Sequence, residues 1–82
     1  MILVLGDADD ARGFALAGAS VVRCRTRENV LRSLRPIDAG DLAPTLVMAS
    51  ARVYALAPAD LDRLRDRRTG PVVLILPETP MG

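Results

Sequence analysis

Ile2-Leu3-Val4-Leu5-Gly6-Asp7 opens the chain with four consecutive apolar residues stopped by a turn. Such a run predicts a strand buried on both faces, which is the signature of a parallel sheet. Thr45-Leu46-Val47-Met48-Ala49 repeats the pattern, and so does Val72-Val73-Leu74-Ile75-Leu76, which follows Gly70-Pro71 and is closed by Pro77. The run from Ser20 is different. After Val21 it alternates, with Val22 and Cys24 on one side and Arg23 and Arg25 on the other, as an edge strand does.

Helical spacing fills the gaps between these runs. Asp9 or Asp10 can start a helix that carries Ala11, Phe14 and Ala15 on one face, runs through Ala17 and stops at Gly18. Thr26 can cap a second helix lined by Val30, Leu31 and Leu34 and ended by Pro36, with a loop from Ile37 to Pro44. A third stretch, Ala51 to about Arg67, carries Val53, Leu56, Leu61 and Leu64. Pro58 disfavours helix at Ala57, so a break is expected there, with Pro58 starting a second helical piece. Strand and helix alternate throughout, which predicts a β-α-β-α-β-α-β domain of α/β class, Rossmann-like or flavodoxin-like, with a small four-stranded parallel sheet.

At 82 residues the chain has material for one core, so residues 1–82 are expected to form one domain. If strand one is central and the order is 2-1-3-4, the first helix alone covers one face and the later helices cover the other. One face is then thinly covered. That face, or the Pro-rich tail from Pro77 to Gly82, is the expected docking surface for another protein.

Composition removes most chemistry. The chain has no His, no Trp, one Cys, and eleven basic residues that are all Arg. Catalytic triads, zinc sites, Schiff-base lysines and lysine-bearing phosphate loops are excluded together. A net charge of +1 with one Phe and one Tyr offers neither the field nor the stacking platform that nucleic acid needs. No apolar run reaches the length of a membrane span, and Met1–Leu5 followed by Gly6 and an Asp-rich turn is unlike a signal peptide. The expectation is a cytoplasmic, non-catalytic chain without cofactor or metal.

The residues left for a site are few. Asp7, Asp9 and Asp10 sit at the carboxyl edge of strand one, where α/β sheets bind ligands, and could hold a hard cation. They equally serve a helix start, one as its cap and the others at its positive end. A receiver-like module would need an Asp where Met48-Ala49-Ser50 stand, and a Lys that is absent. Gly6 and Gly13 lack the third glycine of a dinucleotide fingerprint. Arg23, Arg25 and Arg27 form one basic group, and Arg63, Arg65, Arg67 and Arg68 another. The first could bind a carboxylate or simply protect a sheet edge. In the second, Asp60 with Arg63 and Asp62 with Arg65 are spaced to pair along a helix, and either group could serve an interface. Tyr54 suits packing better than base chemistry, and Cys24 suits a small strand filler better than a nucleophile.

Met1-Ile2-Leu3-Val4-Leu5-Gly6-Asp7, followed by Gly13-Phe14-Ala15-Leu16-Ala17-Gly18, resembles the opening of the F subunits of V/A-type rotary ATPases. Gly6, Asp7, Gly13, Phe14, Leu16, Ala17 and Gly18 carry the match. Val47-Met48-Ala49-Ser50 and Val73-Leu74-Ile75-Leu76-Pro77 resemble later strands of the family, so the likeness spans most of the chain. Two differences stand out. The family continues into a C-terminal helix, without which this chain reads as a short form, and its third helix is Glu-rich and unbroken where this one is Arg-rich and carries Pro58. The resemblance implies a non-catalytic rotor component of the central stalk, peripheral to the membrane and bound to the coiled-coil shaft, the D subunit, and to other parts of the V-type ATPase. It would turn with them in ion-transport-coupled ATP hydrolysis or synthesis. Arg23, Arg25, Arg63, Arg67 and Pro77 are the expected interface residues. A stand-alone receiver-like or divalent-cation-binding module, and an adaptor of an unrelated assembly, are the alternatives.

Overall fold

The computed structural model describes residues 1–7 and 18–77. In chain order these form β1 (Ile2–Gly6), β2 (Ser20–Arg23), α1 (Arg27–Asp38), β3 (Leu46–Ser50), α2 (Ala51–Leu56), α3 (Pro58–Arg65) and β4 (Val72–Leu76). The strands make one four-stranded sheet in the order β2-β1-β3-β4, and every pairing is parallel. The α/β architecture expected from the alternating runs is therefore present. The first expected helix, from Asp9 or Asp10 to Ala17, lies outside the described residues, and with it Gly13, Phe14, Leu16 and Ala17.

Local chemistry explains where the helices start. Thr26 Oγ1 accepts the Asn29 N–H at 3.1 Å, and Asn29 Oδ1 in turn accepts the Arg25 N–H at 3.1 Å, so two backbone donors at the start of α1 are satisfied reciprocally. Ser50 does the same for α2, its Oγ accepting the Val53 N–H at 3.2 Å. Ala57, with φ −150° and ψ 63°, separates α2 from α3, and Pro58 is the first residue of α3, as its fixed φ and missing N–H favour.

Two boundaries differ from the sequence expectation. α1 does not end at Pro36 but continues to Asp38, because Ile37, buried in the core, gains more from packing than the missing Pro36 N–H costs so near the helix end. The chain then turns at Gly40, where φ is +82°, and the Asp41 and Leu42 N–H groups both bond to the Pro36 carbonyl. α3 stops at Arg65 rather than near Arg67. Its exit turn is tight: a Cβ on Gly70 would lie 3.0 Å from Arg67 Cβ and 3.3 Å from the Leu64 carbonyl oxygen.

Register partners in a parallel sheet share a face. Leu3, Leu5, Val47, Ala49 and Val73 lie on one face and form a single core with Val30, Leu34 and Ile37 of α1, Val53 of α2, and Leu61 and Leu64 of α3. All three described helices cover this face. Cys24, one residue past β2, belongs to the same core, and its N–H extends the ladder to the Gly6 carbonyl at 3.0 Å.

Candidate docking surface

The opposite face carries Ile2 and Val4 of β1, Leu46 and Met48 of β3, and Val72 and Leu74 of β4 in two register rows. Along the inner row exposure climbs from Val4 at 2%, through half-buried Met48, to Leu74 at 47%. The outer row ends at Val72, 62% exposed. Together with Ile2 and Met1, these are the exposed large hydrophobic side chains of the described residues. Apolar area left in water at one edge of a sheet is unfavourable for the isolated chain, and it marks a surface suited to a partner. The thinly covered face expected from the helix arithmetic thus falls beside β3 and β4.

β2 bounds this face on the far side. Arg23 pairs in register with Gly6 and so shares the face of Val4 and Val21. At the carboxyl edge three guanidinium groups converge on one carboxylate: Arg23 Nε at 4.0 Å and Arg25 Nε at 3.6 Å from Asp7 Oδ1, and an Arg52 terminal nitrogen at 3.9 Å from Asp7 Oδ2. Asp9 and Asp10, the other two members of the expected acidic cluster, lie outside the described residues. Three cations around Asp7 oppose the binding of a metal cation there, and no group of three metal-ligating side chains occurs among the described residues.

The second arginine group does not form a bare basic patch. Arg63 and Arg27 both pair with Asp60, Arg65 lies 2.9 Å from Asp62, and Arg67 lies 3.4 Å from Asp38. The Asp60–Arg63 and Asp62–Arg65 pairs are those expected from helical spacing. Arg63 lies on α3 and Arg67 just after it, and through Asp60 Arg63 meets Arg27 at the start of α1. Pro77 follows β4 directly, at the edge next to the exposed apolar residues.

Neither titratable candidate is set for chemistry. Burial pushes the Cys24 thiol above its ordinary value, only partly offset by its contact with the Ser33 hydroxyl. The Tyr54 hydroxyl donates to Asp62 Oδ1 at 2.8 Å, and this bond raises its pKa. Both side chains are neutral at pH 7, the wrong form for a nucleophile or a base.

Sequence reasoning missed three features. Arg52 joins the Asp7 group because β3 is parallel to β1 and delivers the residues after it to the same edge, so the predicted topology held that signal. Val72 and Leu74 were legible as strand residues only, since β4 is apolar at every position. A shallow cavity of about 430 Å³ at the amino edge, walled by Ile37, Leu42, Pro44, Pro71 and Val72 with Arg67 at its side, has no sequence signature.

No helix among the described residues is long and apolar enough to cross a membrane. A family model described as ATP synthase (F/14-kDa) subunit matches residues 2–81. No curated protein matches the chain.

Proposed function

The chain belongs to the ATP synthase (F/14-kDa) subunit family, the F subunits of V/A-type ATPases, and we propose on that premise that it is a non-catalytic rotor component of the central stalk. In this role it docks on the coiled-coil shaft, the D subunit, and turns with it, so that ion transport and ATP hydrolysis or synthesis stay coupled. It does no bond chemistry of its own and needs no cofactor. It is cytoplasmic and reaches the membrane only through the complex.

The observation that carries the docking reading is the exposed apolar strip Ile2–Leu46–Val72 and Met48–Leu74. A helical hairpin presents a matching apolar ridge, and burying the strip against it removes Val72 and Leu74 from water. Arg23 and Arg25 at the carboxyl edge of β1 and β2, and Pro77 after β4, would meet a partner that extends beyond the strip toward that edge. Arg63 and Arg67 are held by Asp60 and Asp38; Arg67 borders the amino-edge cavity that Val72 also lines, whereas Arg63 would meet a partner only if it wraps onto α3.

The test is to tag the chain, purify it gently from solubilised native membranes and identify the accompanying proteins by mass spectrometry. Recovery with a coiled-coil shaft protein and the ATPase head is the expected result. Recovery alone, or with unrelated proteins, overturns the stalk role while leaving the family membership standing.

A further inference from the structure

β4 ends the sheet, and among the described residues it pairs with β3 alone. The Val72 N–H donates to the Thr45 carbonyl at 3.2 Å, which fixes the orientation of the strand's backbone. In an extended strand the N–H and C=O of one residue point to the same side and those of the next to the other. Val72, Leu74 and Leu76 therefore address β3, while Val73 and Ile75 address the open edge. Pro71 and Pro77 fall in the same outward phase and have no N–H to offer. The edge thus reads Pro71, Val73, Ile75, Pro77, and it is symmetric about Leu74.

A row with this symmetry is complementary to itself. When a second copy approaches antiparallel with Leu74 opposite Leu74, Val73 of each copy faces Ile75 of the other, and each such pair exchanges both of its N–H···O bonds. Pro71 faces Pro77, so no donor is stranded at either end. A slip of the register sets a proline opposite Val73 or Ile75 and loses bonds. On the face of Val72 and Leu74, Leu74 meets Leu74 and Val72 meets Leu76 in closely spaced, non-hydrogen-bonded pairs, covering the two most exposed side chains of the strand. Val72–Leu76 carries no charge or internal proline, the usual defences of an edge against such pairing.

We propose that the free chain pairs with a second copy of itself through β4, antiparallel about a two-fold axis at Leu74, joining two four-stranded sheets into one. This concerns the chain before assembly, and its failure leaves the stalk reading untouched.

Sedimentation of the full chain over a concentration series tests the pairing. The expected result is a concentration-dependent dimer that Leu74→Lys weakens at least tenfold, since it sets like charges opposite each other, with thermal melting to verify that the variant is folded. Register is read by oxidation of cysteine variants. Leu74→Cys should crosslink two copies across the axis, and Val72→Cys should not, because it faces Leu76; Cys24 is buried and is common to both. A monomer up to ~1 mM, a dimer that folded Leu74→Lys leaves intact, or crosslinking by Val72→Cys in place of Leu74→Cys overturns the proposal. Capture of another protein's strand by a chain that stays monomeric overturns it equally.

Discussion

Val72 and Val73 are neighbours in one strand and chemically identical, yet 62% of the first is exposed and only 8% of the second. The contrast is strongest at β4 and fades toward β1, where Val4 on the second face is only 2% exposed. Leu3, Leu5, Val47, Ala49 and Val73 share one core with three helices, while Ile2, Val72 and Leu74 on the other face remain in water. Along β4 both faces are equally apolar in sequence. Apolar character tells which side chains tolerate burial, and only the count and placement of covering elements tells which are buried. The face packed on the three described helices holds the fold together, and the β4 side of the other face is exposed enough to serve a partner. Substitutions on the two faces should therefore separate stability from association.

The largest effect is expected in the shared core. Leu5→Ala or Leu61→Ala, at positions almost fully buried, should cost about 2–5 kcal/mol in urea unfolding, a large part of the total stability of a domain this small. A cost under about 1 kcal/mol at Leu5 would mean that the helices do not pack on β1 as described.

The caps that hold those helices come next. Thr26→Ala and Ser50→Ala each remove a side-chain acceptor from a helix start, and each should cost about 1 kcal/mol. The two sites lie on separate helices, so the double variant should lose close to the sum. Strong non-additivity would show that α1 and α2 form as one unit.

Alkaline pH tests the two raised pKa values. The pKa of Cys24 is raised above 9.0 and that of Tyr54 above 10.0. As pH climbs past those ordinary values, the unfolded chain releases its protons first and gains stability relative to the native state. The melting temperature should hold up to about pH 9 and then fall, through the Cys24 contribution first and the Tyr54 contribution at higher pH. Cys24→Ala should flatten the first part of the fall and Tyr54→Phe the second. A pH profile that neither substitution changes would mean that neither the burial of Cys24 nor the Tyr54–Asp62 bond holds these protons in the folded chain.

Much of this architecture is legible in the residues. The uninterrupted runs at Ile2, Leu46 and Val72 are too short for helices and are bounded by Gly or Pro, so they read as strands, and the Pro58 break follows from the clash of a proline ring with helical backbone at Ala57. Pro36 shows where local rules fail, because the burial of Ile37 is a tertiary gain that no local rule contains. The candidate surface was legible by arithmetic, since too few helices serve two faces, but its residues were not. Val72-Val73-Leu74-Ile75-Leu76 has no alternation to say which side is covered. The environment of Asp7 was hidden for a similar reason. Its arginines come from β2, from the residues after it and from α2, and only the parallel topology brings them together.

The smallest stability effect and the sharpest test belong to the exposed side of β4. Val72→Ser replaces a side chain that is already mostly in water, so unfolding in urea should change by no more than about 0.5 kcal/mol, and a polar residue there also relieves some exposed apolar area. Val73→Ser, one position along, buries a hydroxyl in an apolar core and leaves a gap, and it should cost at least about 2 kcal/mol. Association should order the pair the other way. Val72→Ser should weaken recovery of the shaft protein from native membranes while the chain stays fully folded, whereas folded Val73→Ser should still be recovered with it, because its side chain faces α3 and not the partner. Equal stability losses at the two positions would mean that the second face is covered after all, and the exposed strip would no longer support a docking role.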